Sequence, residues 1–325
     1  MEKGLISIII TAYNSQKYIR RCLDSVLRQT FKNYEAIIVN DGSCDDTQSI
    51  CEEYVKKDSR FHLYNKENGG SSSARNYGLS KVKGEYLTWL DSDDEYSDIY
   101  LEKLVFYLKL YNADISICDY LYLNESNLSA KPCLNEELAN NTNEIKEYKT
   151  KKDMLRFLKR LYQPNGIICI VPWGKLFKTS LYSGIKFPEG KCFDDQATIY
   201  KTYLASSKIV EFASKLYYYY YNSNSISNTN YCKHPEDMFF VCEERNELFK
   251  QHNFNSLIGD TQYSYIFYLV HYLNKHDLTS ESYIDGMKKL RKLAFSCLFQ
   301  KVDLKHKLKC LILIVCPKIF IKRNI

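Results

Sequence analysis

The chain has 325 residues, 45% hydrophobic and 26% charged, enough apolar content for one large folded domain or one with a smaller companion. Lys and Arg exceed Asp and Glu by six, and residues 301–325 hold seven Lys/Arg against Asp303, so this stretch carries the whole excess and the neutral remainder excludes a nucleic-acid-binding body. Twelve cysteines with no C-x-x-C pair and no Cys/His ligand spacing exclude a zinc module and a small disulfide scaffold.

The chain leads directly into a strand-like run, which predicts free thiols in a reducing cytoplasm. Residues 5–10 are apolar and β-branched and predict a buried central strand. Asn14-Ser15 is placed to cap a helix whose stripe is Tyr18, Ile19, Cys22, Leu23, Val26 and Leu27. A second buried strand over 36–39 ends at Asn40-Asp41-Gly42-Ser43. Asp45 or Asp46 then caps a helix carrying Ile50, Cys51, Tyr54 and Val55. A third strand covers 61–64, a helix 71–79 and a fourth strand 86–90. Strand and helix alternate, which means a parallel sheet flanked by helices. A helix over 98–111 and a strand over 113–118 follow. Residues 119–150 are polar and Asn-rich and read as an excursion. A helix over 152–161 comes next. The stretch 171–196 mixes aromatic and charged residues, as an active-site wall would, with Trp173, Lys175 and Asp194 as candidate acceptor or donor contacts. A tyrosine strand covers 216–221, and from about Pro235 the pattern is helical. The expected boundary lies near residue 230, giving domains of 1–230 and 231–325.

Chemistry gathers at predicted strand ends, where open α/β sheets bind ligands. The fourth strand runs into Asp91-Ser92-Asp93-Asp94. Carboxylates suit Mg²⁺ or Mn²⁺, which are often held by one or two of them plus substrate phosphates. Thr11-Ala12-Tyr13-Asn14 follows the first strand and feeds a helix N-terminus, a setting for a nucleotide. Asp41 after the second strand is a candidate acceptor for a base N–H or a ribose hydroxyl. Arg75 follows the Gly-rich start of the third helix and suits a phosphate or a D-x-D carboxylate. Asp194-Asp195 begins a later helix, where mutual repulsion would raise one pKa and make a general base. Taken singly, each feature also reads as a capped turn or a surface charge.

In this order the pieces resemble the family 2 glycosyltransferases, inverting enzymes of GT-A fold that serve bacterial surface-glycan assembly. The likeness runs from Ser7 through Asn76, Gly84-Glu85-Tyr86, the Asp91-Ser92-Asp93-Asp94 run, Trp173-Gly174-Lys175-Leu176-Phe177, Phe187-Pro188-Glu189-Gly190, Asp195 and the tyrosine strand. It implies an α/β fold with a Rossmann-like, mainly parallel sheet and a C-terminal helical part. It implies a UDP-sugar donor held by Thr11, Ala12, Tyr13, Asn14, Asp41, Arg75, Asp91 and Ser92, and Mn²⁺ or Mg²⁺ on Asp93. Asp195 takes the place of the family's base, so a hydroxyl of a glycan or lipid-linked saccharide would attack with inversion. Departures are Thr11 where proline is common, Asn40 for a second Asp, Asp194 and Gln196 for glutamates, and Tyr220 and Asn222 where arginines are frequent. A non-catalytic sugar-nucleotide or glycan-binding module would fit the same fold. A sugar-1-phosphate nucleotidyltransferase would want a Gly-rich basic loop after the first strand, and Thr11-Ala12-Tyr13-Asn14 has neither Gly nor charge.

The last element is a tail. Residues 311–316 are apolar, Pro317 interrupts, and Ile319-Phe320-Ile321 continues, among Lys305, Lys307, Lys309, Lys318, Lys322 and Arg323. It is shorter than the roughly 20 residues that span a bilayer. Two readings stand: packing on the helical part, or lying on an anionic membrane surface, which would place the protein peripherally on the inner face of the cell membrane.

Overall fold

The computed structural model describes residues 1–124, 126, 127, 131, 144–222 and 233–321. The chain divides into two compact units, one of residues 1–154 and 167–223, the other of residues 155–166 and 224–325. The expected boundary near residue 230 lies outside the described residues.

In the first unit β1 (Glu2–Ala12), α1 (Ile19–Leu27), β2 (Tyr34–Asp41), α2 (Thr47–Lys57), β3 (Phe61–Lys66), α3 (Ser71–Leu79) and β4 (Gly84–Asp91) alternate. The order β3-β2-β1-β4 is parallel throughout. All eight residues of β2 are buried, which is why this strand reads as a continuous apolar run rather than an alternating one. The apolar face of α1 buries Ile19, Cys22, Leu23 and Val26. No side chain caps α1. Asp45, one residue ahead of the N-cap of α2, accepts from Thr47 N–H at 3.0 Å.

Beyond β4 the sheet turns mixed. β5 (Glu95–Tyr96), α4 (Tyr100–Leu110), β6 (Ile115–Leu123) and β7 (Ile145–Tyr148) lead to α5 (Lys151–Lys159) and the single turn α6 (Ile167–Ile170). Then come β8 (Lys175–Lys178), α7 (Asp194–Ala205) and β9 (Ile209–Tyr220). β8 runs antiparallel between β4 and β6, β6 is parallel to β9, and β5 and β7 are antiparallel to β9. The expected excursion over 119–150 is therefore partly strand. Tyr120, Leu121 and Tyr122 pair with Tyr217, Tyr218 and Tyr219. A distant tyrosine-rich partner makes strand of a segment whose own pattern is weak. The four residues of β8 are too few to show a period.

The second unit holds α8 (Asp237–Gln251), α9 (Ile258–Leu273), α10 (Glu281–Leu298) and α11 (Leu304–Val315). Ser280 caps α10 by accepting from Tyr283 N–H, and Asp303 caps α11 by accepting from His306 N–H at 2.7 Å. In the tail Cys310, Leu313, Pro317 and Ile321 are buried, whereas Leu304, Leu308, Leu311, Val315 and Ile319 are exposed. Among the described residues no helix is long and apolar enough to cross a membrane.

Candidate active site

Parallel pairing sets the carboxyl ends of β1, β2 and β4 side by side. Thr11 is in register with Val39 on one flank and Asp91 on the other. The loops beyond are tied to one another. Asn14, at a φ of 48°, donates its N–H to Ser43 Oγ at 3.0 Å and takes the Cys44 N–H on Oδ1 at 2.9 Å. Ser15 N–H reaches Thr47 Oγ1, and the Ser15 and Ser92 hydroxyls pair, both at 2.7 Å. Asn14-Ser15 thus bridges three strand-end loops instead of capping α1. Tyr13 is half exposed above them, while Ala12 is buried.

Asp41 is buried at the end of β2. Its Oδ1 accepts from Lys66 Nζ (2.6 Å) and Gly69 N–H (3.1 Å), and its Oδ2 from Gly70 N–H (2.8 Å). It fixes the turn that opens α3. Gly42 has a φ of 72°, and a Cβ there would stand 2.7 Å from the Asn68 backbone nitrogen, so the turn needs glycine.

Arg75, in the second turn of α3, is the hub of the site. Its Nη1 donates to Asp194 Oδ2 at 2.6 Å and to Asp195 Oδ1 at 2.7 Å, and its Nη2 lies 3.7 Å from Asp91 Oδ1. The guanidinium is buried and also faces the Phe187 ring at 5.3 Å. Asn76, its neighbour, grips the same segment. Its Oδ1 accepts from Phe187 N–H at 2.8 Å, and its Nδ2 donates to Phe187 O at 2.9 Å and Glu189 Oε1 at 3.0 Å. Asp194 Oδ2 also takes the Ser71 and Ser72 hydroxyls, at 2.9 and 3.3 Å. Asp194 is thereby an internal partner of α3 rather than part of an open wall.

The clustered carboxylates are not equivalent. Burial pushes Asp91 up to about 6 against the pull of Arg75, and Asp93 and Asp194 add repulsion. Asp195 is likewise raised above the ordinary carboxylate range: burial raises it, Arg75 opposes, and Asp194 and Asp91 raise it further. Asp93 is only half-buried; its Oδ2 accepts from Asn222 Nδ2 at 3.0 Å and its carbonyl from Arg21 Nη2 at 2.5 Å. The Arg21 guanidinium lies 3.5 Å over the Tyr220 ring. Tyr220 in turn donates its hydroxyl to Glu95 at 2.9 Å. So Tyr220 and Asn222 brace the D-x-D loop with groups other than arginine, and an arginine reaches the loop from α1.

Asp94 has a different job. It is fully buried, taking the Tyr217 hydroxyl at 2.7 Å and the Tyr220 N–H at 2.9 Å. Asp94→Ala would strand both donors, at about 1–3 kcal/mol each. We expect a melting temperature lower by several degrees, at roughly 2–4 °C per kcal/mol. A thermal melt matching the wild type would remove this structural role.

Trp173 and Lys175 do not line an open wall. Trp173 stacks on Tyr217 at 4.4 Å and 9°, and both Trp173 and Lys175 are buried. Lys175 Nζ donates to the carbonyls of Val171 (2.8 Å) and Trp173 (3.0 Å), and burial lowers it to about 7. Lys175 opens β8, an interior strand of the sheet, and Trp173, just ahead of it, is covered by the rings of Tyr120, Tyr217 and Tyr219. Arg21 was not legible as a site residue, and Asn222 was marked only as a departure from the family pattern, because nothing local shows which side chain meets a loop some 70 or 130 residues away.

Asp91 and Asp93 offer the hard oxygen donors that a small divalent cation takes. Among the described residues no three His, Cys, Asp or Glu form a metal cage.

Comparison with known proteins bears on the family of the chain. GlyG of Streptococcus pneumoniae is 35% identical over 234 residues, covering 70% of this chain and 74% of GlyG. Glycosyltransferase GlyA of the same organism is 35% identical over 225 residues, 68% of this chain, and the chain spans 31% of GlyA's length. The fold is shared with residues 1–349 of S. aureus TarS, solved in complex with UDP-GlcNAc, at a TM-score of 0.63 and 21% identity, covering 89% of this chain and 81% of that one. The glycosyl transferase family 2 model matches residues 7–184, which take in the strand-end loops, Arg75 and the D-x-D run. With more than half of the chain matched in this way, the protein belongs to glycosyltransferase family 2 and is an enzyme of that class.

Proposed function

We propose that the chain moves a sugar from a UDP-sugar to a hydroxyl of a glycan or lipid-linked saccharide by one inverting displacement. The observation that carries this reading is Arg75, which binds Asp91 at the end of β4 and Asp194 and Asp195 at the start of α7. Donor-side carboxylate and candidate base so meet around one buried cation. The loops at Thr11, Ala12, Tyr13 and Asn14, with Asp41 and Ser92, form the nucleotide side. TarS, with the same fold, was solved with UDP-GlcNAc, which supports a uridine donor.

Asp93 would hold Mn²⁺ or Mg²⁺, with Asp91 beside it on the ribose or sugar of the donor; the metal's chemistry there would be neutralisation of charge on a departing diphosphate. Asn222 and Arg21 orient Asp93 by its carboxylate and its carbonyl. Arg75 holds Asp195 by Oδ1, which leaves Oδ2 to take the acceptor's proton. A raised pKa makes Asp195 a stronger base than an ordinary carboxylate. Ser71 and Ser72 keep Asp194 on Arg75 and so keep the guanidinium in place.

The test is a panel of UDP- and GDP-sugars with Mn²⁺, read as released nucleoside diphosphate, followed by NMR of the product. We expect release from a UDP-sugar and an inverted anomeric centre. Release from GDP-sugars alone, or a retained configuration, overturns the reading.

A further inference from the structure

The second unit carries an exposed apolar surface outside the residues assigned to transfer. Four large apolar side chains of α11 stand out of the fold: Leu304 (82% exposed), Leu308 (58%), Leu311 (47%) and Val315 (82%). At 100° per residue they fall at about 0°, 40°, 340° and 20°, a single stripe. The buried Cys310 and Leu313 fall at about 240° and 180°, on the far side. The helix therefore docks by one face and holds a continuous apolar face away from the protein, the reverse of an ordinary surface helix. Lys305 and Lys307 fall at about 100° and 300°, one on each flank of the stripe. No acidic residue lies within α11. Two exposed rings, Phe295 and Phe299, 5.2 Å apart edge to face, close α10 just before it.

We infer that α11 lies in the interface of an anionic lipid bilayer, with Leu304, Leu308, Leu311 and Val315 in the acyl boundary and Lys305 and Lys307 at the headgroups. The charge selects this partner. A row of aliphatic side chains flanked by cations on both sides, with no anion among them, matches the two layers of an anionic membrane surface. The helix has 12 residues and lies in the plane rather than crossing it.

The test uses the full chain in vesicle flotation, with phosphatidylcholine alone or mixed with phosphatidylglycerol, at low and high salt. We expect flotation only with phosphatidylglycerol present, weakened by salt. K305Q and K307Q should each weaken it about fivefold, and Leu308→Gln with Leu311→Gln should abolish it. All four positions are at least partly solvent-facing, so circular dichroism should be unchanged. Absence of flotation at low salt, equal flotation on phosphatidylcholine alone, or unchanged flotation of the leucine variants overturns the proposal. So does a wild-type dimer that the leucine variants turn into monomers, because the stripe is then covered by a second copy.

Discussion

Asp93→Ala is expected to slow transfer by about 10³-fold at saturating Mn²⁺, the scale of several kcal/mol of lost charge stabilisation. The fold should persist. Asp93 is half-buried, and among the described residues its side chain bonds Asn222, which Ala leaves near the surface. Asp93→Asn sharpens the test, since an amide oxygen keeps the Asn222 bond and only the charge is lost. Both variants should melt like the wild type, in contrast to the buried Asp94→Ala. Substantial turnover by Asp93→Asn at saturating Mn²⁺ would take Asp93 out of the metal role.

Asp195→Asn should keep UDP affinity and lose transfer by about 10²–10⁴-fold, the usual cost of a missing general base. The amide oxygen still accepts from Arg75 Nη1, as Oδ1 does now at 2.7 Å, so the shape of the site is preserved. The pH profile separates base from scaffold. Asp195 works only when deprotonated, and burial raises its pKa. The wild-type kcat/KM should therefore fall as pH drops, through an apparent pKa above the ~3.9 of a free aspartate. The residual activity of Asp195→Asn should lack that limb. Near-normal transfer, a large loss of UDP affinity, or an unshifted acid limb would each count against Asp195 as base.

The elements legible in the sequence are those written in contiguous stretches. The first four strands, the 71–79 helix and the D-x-D at a strand end were all readable from local pattern, because a strand buried on both faces is apolar along its length and a strand end is where that run breaks. The presence of an apolar and basic tail was readable for the same reason. Non-local facts were not. Arg75 was readable as a partner for the D-x-D run, but Asp194 and Asp195, which it also binds, lie 119 and 120 residues away. Trp173 and Lys175 look like wall residues until β8 is seen inserted between β4 and β6 and the β9 tyrosines stacked on Trp173. Asn14-Ser15 reads as a cap until the Ser43, Thr47 and Ser92 hydroxyls come within reach. In α11 the pattern shows apolar residues on more than one side, and only packing decides that Cys310 and Leu313 turn inward while Leu308 and Val315 stay out. Sequence periodicity reports which groups need burial or a partner; which partner arrives is decided by chain segments that pair across the whole fold, and no local window contains them.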